Sequence, residues 1–322
     1  MKPTITLLLG DRNGIGPELI AKLLADSSIY ESANVEVLGD PAVLSEGCAA
    51  AEVSPDPSRF AMNDFRPIDG LTTTPAQATA GAGQEILACL SHAAARVTSG
   101  KSDGIVFGPL NKEAMHKGGL TQDDEMRFLA SELGYDGAFG ELNVLDQLWT
   151  TRVTSHVPIS QVADHITGSA VLQSIRFAHE SLSRAGFATP RIAVAALNPH
   201  AGDGGNFGRE EIDVITPAIE QARAAGIEAE GPYPSDTVFV RAQRGDHDAV
   251  VTMYHDQGQI AMKLMGFGRG VTVLGGLPIA IATSGHGTGY DIAGQGIATP
   301  DSMRNAFSIC RDMAATKQEQ AA

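Results

Sequence analysis

Aromatic residues are scarce: Phe, Tyr and Trp make up 5% of the chain, with a single Trp. A core must therefore be built from Ala, Val, Ile and Leu. The three cysteines, Cys48, Cys89 and Cys310, are odd in number and match no paired-cysteine spacing. That excludes a disulfide framework or a zinc ribbon, and they read as buried, reduced thiols. No apolar run approaches the roughly eighteen residues of a membrane span. The run that follows Met1-Lys2-Pro3-Thr4 stops at Gly10, too short and wrongly flanked for a secretory leader. The expected location is the cytoplasm, with no membrane partner. Positive charge is also short: 23 Lys and Arg stand against 38 Asp and Glu, a formal net charge of -15. Such a surface repels nucleic acid and anionic lipid, so no nucleic-acid partner is expected. An anionic substrate then needs a local focus of positive charge. Finally, no strict G-x-G-x-x-G, no Walker A loop and no G-x-S-x-G elbow occurs, and Gly202-Asp203-Gly204-Gly205-Asn206-Phe207-Gly208 has the wrong spacing. A standard Rossmann domain is disfavoured. A nucleotide would have to sit on glycine-rich loops at helix N-termini, where free N–H groups bind anions.

What is present reads as layered α/β. The 322 residues, 43% hydrophobic with 36 glycines, suit one or two lobes with many tight turns. Strand patterns fall at Thr4 to Leu9, Asn34 to Leu38, Gly104 to Phe107, Arg191 to Leu197, Ala249 to Met253 and Gly270 to Ile281. Helical patterns fall at Gly16 to Ala25, Gln84 to Val97, Ile159 to Ala185, Arg209 to Ala225 and Asp301 to Thr316. Leu142 to Thr154 alternates as antiparallel strands, which implies a mixed sheet or a second lobe. Ser54 to Ala80 reads as an irregular excursion, and the Gln/Glu/Ala tail as a frayed end.

Three histidines each lie just past a strand. They are His156 in Ser155-His156-Val157-Pro158, His200 in Asn198-Pro199-His200-Ala201-Gly202, and His255 in Tyr254-His255-Asp256-Gln257-Gly258. They are too far apart in sequence for a compact finger. They suit a site assembled from distant loops, with imidazoles on a divalent metal and open positions for substrate. Any one alone reads equally as a surface histidine. Of the others, His92, His179 and His247 read as helix or loop surface, and His286 lies in the glycine-rich turn Ser284 to Gly289. The loop Gly10-Asp11-Arg12-Asn13-Gly14-Ile15-Gly16-Pro17 is either a pocket wall at the carboxyl end of a sheet or a plain βα turn. Lys263, one of seven lysines, is either an anion clamp or a snorkelling surface residue, and Asn111-Lys112 is a similar case.

Taken together, these motifs resemble the 4-hydroxythreonine-4-phosphate dehydrogenase family over nearly the whole chain. The resemblance rests on the first glycine loop, Gly108-Pro109-Leu110-Asn111-Lys112-Glu113-Ala114, Ser155-His156-Val157-Pro158, Asn198 to Gly202, Gly231-Pro232 with Asp236-Thr237, Met253 to Gly258, and His286-Gly287-Thr288. It implies a two-lobed α/β/α fold with mixed sheets, like isocitrate and isopropylmalate dehydrogenases. The whole chain would be one catalytic unit with a central cleft, working as a homodimer with a shared active site. It implies one divalent ion (Zn, Mg, Mn or Co) on His156 and His200 of one subunit and His255 of the other. NAD or NADP would be the hydride acceptor, bound at Gly285, His286, Gly287 and Asp291. The small carboxylated substrate would lose hydride from a secondary alcohol and then CO2, with Lys263 and Asp256 as catalytic residues.

The departures concern the substrate. The family's phosphate clamp combines a lysine, an asparagine and an arginine. Here these positions are Lys263, Thr272 and Ile281, and a His-Thr pair is replaced by Glu125-Met126. The expectation is therefore a hydroxy acid or carboxylated diol without phosphate, as in the terephthalate-dihydrodiol and sugar-acid branches. The alternative is the 4-hydroxythreonine-4-phosphate enzyme itself, with its phosphate site rebuilt from residues such as Arg269 or Arg127. A ligand-binding relative without catalysis is a third reading.

Overall fold

The computed structural model describes residues 2–266 and 268–321. The strands are β1 (Thr4–Leu8), β2 (Asn34–Gly39), β3 (Ala61–Asp64), β4 (Gly104–Phe107), β5 (Gly140–Leu145), β6 (Leu148–Arg152), β7 (Ile192–Ala195), β8 (Ala229–Tyr233), β9 (Ala249–Thr252), β10 (Val271–Gly275) and β11 (Ala280–Ser284). The chain divides into two compact units. One comprises Met1–Gly140 with Val271–Ala322, and the other Glu141–Gly270.

In the first unit the strand order is β3-β2-β1-β4-β11-β10. All neighbours are parallel except β10, which runs against β11. Every residue of β4 and β11 is buried, as expected of strands covered on both faces. The helix Ala80–Thr98 packs on β1 and β2, and Asp301–Ala321 packs on β11, β4 and β10. The main apolar cluster gathers Leu8, Ile105, Phe107 and Leu129. In the second unit the order is β5-β6-β9-β7-β8. β5 and β6 form the expected antiparallel pair, while β6, β9, β7 and β8 run parallel. The helices Gly168–Arg184, Ser235–Gln243 and His255–Gly266 pack on these strands. The fold class is thus the expected layered α/β with mixed sheets.

Three local expectations are corrected. Gly270 to Ile281 is not one strand: Gly276, at φ +84°, turns the chain back, and β10 and β11 pair antiparallel. The Ser54 to Ala80 stretch is not wholly irregular, because Ala61–Asp64 adds β3 beside β2. The helix expected from Arg209 begins as a π-helical turn at Glu211–Ile215 before the α-helix Thr216–Ala224.

Arg12, in the first glycine loop, is a packing residue. Its side chain is 3% exposed, and Nε and Nη2 donate to Glu85 Oε2 and Oε1 at 2.7 and 2.8 Å. Nη1 donates to the Leu71 carbonyl at 2.6 Å, and Asp40 lies 3.3 Å from Nη2. The pair fastens the loop to the helix Ala80–Thr98. Arg12→Met leaves the Glu85 carboxylate buried without its cation, a loss of about 3–5 kcal/mol. Urea denaturation of Arg12→Met and of Arg12→Met with Glu85→Leu should show most of that loss recovered in the double variant. Equal losses in both would contradict this account.

Candidate active site

In the second unit, β6, β9 and β7 are parallel neighbours. Their carboxyl ends therefore lie along one edge, and His156, His200 and His255 each follow one of them. β9 is central, so His255 stands between the other two in strand order. Main-chain bonds zip the ends of β6 and β9 together: Val153 N donates to Thr252 O at 2.8 Å and Thr154 N to Met253 O at 3.1 Å. Thr154 Oγ1 donates to the same Met253 carbonyl at 2.8 Å. His156 and His255 lie two residues beyond this paired level, and their ring centroids are 5.8 Å apart. Two imidazoles sharing an ion, each with its nitrogen about 2.1 Å away, place their centroids roughly 5–6 Å apart. These two rings therefore fit a common ion.

His200 completes the edge but not the cluster. Among the described residues of the single chain, no three His, Cys, Asp or Glu side chains converge on one point. The chain pairs His156 with His255, whereas the resemblance assigned those two to different subunits. His200 instead has its ring beside Phe207, 6.3 Å between centroids. It sits in a run, His200 to Gly204, whose φ values are all positive. Glu211, 3% exposed, holds that loop: Oε1 accepts from Leu197 N and Asn198 N at 2.9 and 2.7 Å, and Oε2 from Asn198 Nδ2 at 3.0 Å. Gln257 does the same at the centre, accepting from Met253 N at 2.7 Å and donating to Ala196 O at 2.8 Å. Gln257 stands inside the Tyr254 to Gly258 motif, whereas the only sequence signal of Glu211 is a polar residue downstream of a motif histidine.

Asp256 Oδ1 lies 2.7 Å from His255 Nδ1, the arrangement that orients an imidazole and leaves its Nε2 to act as a ligand. Lys263 lies two turns further along the helix His255–Gly266 and is exposed. A rise of about 1.5 Å per residue sets it about 12 Å from His255 along the axis.

In the first unit, the loops after β1, β4 and β11 meet at the carboxyl ends of three parallel neighbours. Ile15 N donates to Thr288 O at 2.9 Å, and Asp11 N to Pro109 O at 3.0 Å. Gly14 must be glycine, since a Cβ there would stand 2.7 Å from Thr288 O. Tyr290 OH donates to the fully buried Asp11 at 2.5 Å. Burial raises the Asp11 pKa against the lowering effects of the Tyr290 and Asn13 hydrogen bonds and of Arg12. Burial and the Asp11 contact raise that of Tyr290. Gly285 and Gly287 are exposed in the resulting turn, with His286 half-buried and Asp291 exposed. Nothing lies within 4 Å of where a Gly287 Cβ would stand.

The expected substrate positions fare differently. Glu125 opens the helix Glu125–Glu132 and is half-buried, and Thr272 is half-buried on β10. Met126 and Ile281, expected to face the substrate, are 7% and 0% exposed, and both belong to the apolar cluster of the first unit. Arg127 is engaged by Asp124, the N-cap of its own helix, and Arg269 by Asp146 at 3.0 Å.

Fold and site together define an α/β protein whose loops at the carboxyl ends of parallel strands carry histidines in one unit and a glycine-rich turn in the other. The chain belongs to the family described as pyridoxal phosphate biosynthetic protein PdxA, which it matches over residues 23–310. A Pseudomonas aeruginosa relative, provisionally named 4-hydroxythreonine-4-phosphate dehydrogenase 2, is 48% identical, covering 96% of each chain. The crystal structure of 4-hydroxythreonine-4-phosphate dehydrogenase from Klebsiella pneumoniae superposes with a TM-score of 0.85 at 35% identity, covering 98% of each chain. A terephthalate 1,2-cis-dihydrodiol dehydrogenase from Burkholderia xenovorans superposes less well, with a TM-score of 0.68 at 28% identity, covering 96% of this chain and 98% of that one.

Removing the Glu211 acceptor should loosen the His200 loop before anything else. Glu211→Leu leaves two amides without partners, and one lost bond of this kind is worth about 1–3 kcal/mol. Amide exchange of a peptide spanning 197–208 should speed up about tenfold or more, while the helix Ala80–Thr98 keeps its protection. Unchanged exchange in 197–208 would refute this role for Glu211.

Proposed function

We propose that the chain is a dehydrogenase of the 4-hydroxythreonine-4-phosphate type. It transfers hydride from a secondary alcohol of a small phosphorylated hydroxy acid to NAD or NADP, and CO2 is lost where the new ketone stands β to a carboxylate. The observation that carries the reading is the set of three histidines on the ends of three adjacent parallel strands, in a chain 48% identical to a relative provisionally named for this activity.

His156, His255 and His200 would hold one divalent ion, drawn from two copies of the chain. In favour of two copies, a large exposed apolar side chain lies within seven residues of each histidine in sequence: Ile159 at 71%, Phe207 at 53% and Ile260 at 59%. When bound, the ion would supply a Lewis acid that lowers the pKa of the substrate hydroxyl, and NAD(P)+ would supply the hydride acceptor. The chain supplies geometry and charge. Asp256 holds the His255 ring. The Lys263 ammonium binds the acid end of the substrate. The turn Gly285 to Gly289 offers backbone N–H groups to the cofactor, and the Asp291 carboxylate accepts from its hydroxyl groups.

A second reading, a substrate without phosphate, is favoured by one observation: Met126 and Ile281 lie in the apolar core. The two are separated by NADH formation with 4-phosphohydroxy-L-threonine and with unphosphorylated 4-hydroxy-L-threonine, metal supplied. The phosphorylated compound should have the higher kcat/KM by about tenfold or more, since charge-assisted bonds to its phosphate are otherwise lost. A preference for the unphosphorylated acid would overturn the first reading in favour of the second. For the cofactor, Gly287→Val should fold as the parent does, because the added side chain meets open space. NAD(P)+ affinity should nonetheless fall about tenfold or more, since the close backbone approach is blocked. Unchanged affinity in calorimetry would remove this turn from the cofactor site.

A further inference from the structure

The second unit has another concave site, away from its histidines. A cavity of about 430 Å³ is lined by Arg191, Arg244, Arg269, Asp146, Asp248 and His247, with apolar side chains between them. Arg191, Asp248 and Leu148 stand at the amino ends of β7, β9 and β6. The histidine loops follow the carboxyl ends of the same three strands. Four or five residues at about 3.3 Å each separate the two edges by roughly 13–17 Å, so neither site is part of the other.

The lining has a definite chemistry. The lining itself holds three guanidinium groups and two carboxylates, in a chain whose formal net charge is -15, and Asp246 and Glu228 also act on the charge of Arg191. Asp248 takes the Nε and Nη2 edge of Arg191 at 3.1 and 2.6 Å, leaving Nη1 outside that pairing. Asp146 meets Arg269 Nη1 at 3.0 Å. Arg244 is exposed at the end of the helix Ser235–Gln243 and has no ion pair among the described residues.

His247 is the second, independent observation. The sequence suggests a surface residue, yet it is 6% exposed. Its Nε2 meets Glu230 Oε2 at 3.2 Å, and Tyr233 OH donates to the same carboxylate oxygen at 2.7 Å. Arg241 in turn stacks over the Tyr233 ring at 4.7 Å. Nδ1 of His247 is buried and has no hydrogen-bond partner. A buried polar atom without a partner is costly, and this one belongs to a residue of the cavity wall. Arginine forks match carboxylate and phosphate oxygens, and the volume suits a small metabolite.

We propose that this cavity is a second ligand site, which takes a small multivalent anion bearing carboxylate or phosphate groups. Arg244 supplies the free fork, Arg191 and Arg269 supply the surrounding positive field, and the His247 ring forms part of the wall. The site is separate from the histidine edge and does not depend on the reaction proposed for it.

Isothermal titration calorimetry tests this with two probes, citrate and inorganic pyrophosphate, at ionic strength held constant with sodium chloride. At least one probe should bind saturably, one per chain, and the arm that responds identifies the oxygen chemistry. In Arg244→Ala, Kd should rise about tenfold or more, and in Arg244→Glu binding should vanish. Both changes are on an exposed side chain, so Tm without ligand should stay at the parent value. His200→Ala should leave Kd unchanged. Three results would each overturn the proposal: no saturable binding of either probe, equal affinity in Arg244→Ala, or a comparable loss in His200→Ala, which would move the anion to the opposite edge.

Discussion

The pairing of β6 and β7 on either side of β9 is the constraint on which the rest depends. Parallel strands share a direction, so whatever follows each of them emerges at the same edge. His156, His255 and His200 are distant in sequence, and only this pairing makes neighbours of the loops that carry them. The bonds of Thr154 with the Met253 carbonyl then bring the first two rings within 5.8 Å. Both strands are buried on both faces, and a slip of one residue in that register would send every side chain of one strand to the opposite packed layer. The position of the pair is therefore as secure as the core beneath it.

The first unit solves a different problem. Its glycine-rich turns have little side-chain volume to hold them, and they are fixed by buried polar contacts instead. The Ile15–Thr288 bond and the Tyr290–Asp11 bond tie the turn after β11 to the turn after β1. Arg12 and Glu85 tie that turn to a helix. Burying Asp11 and Arg12 costs solvation, and each is matched to partners that return it. The outcome is a rim of paired polar groups beside Gly287, where a Cβ would meet open space.

Much of this was legible in the sequence. Strand ends marked by Asn-Pro-His and Tyr-His-Asp, and apolar runs stopping at glycine, gave the layered α/β class and the three histidines. The antiparallel excursion at 142–154 was also readable from its alternation. The illegible parts have physical causes. Met126 and Ile281 align with substrate positions, but alignment says nothing of which face of a helix or strand points inward, and both turned to the core. His247 looked like loop surface because its burial comes from Glu230 and neighbouring elements, not from its own segment. Glu211 lies outside the quoted motifs and Gln257 within one, but the role of both is to satisfy main-chain groups that only the folded loops expose. β3 lies in a polar stretch whose pairing with β2 gives it its conformation.

The central claim is that the three histidines act as one metal site. Cobalt(II) titration of the metal-free protein, followed by visible absorption and metal analysis, tests it without relying on turnover. The account predicts one ion per chain in the parent protein. It also predicts that His156→Ala, His200→Ala and His255→Ala each weaken binding, about tenfold or more for loss of one ligand. Full stoichiometry and parental affinity in any one of the three variants would contradict it.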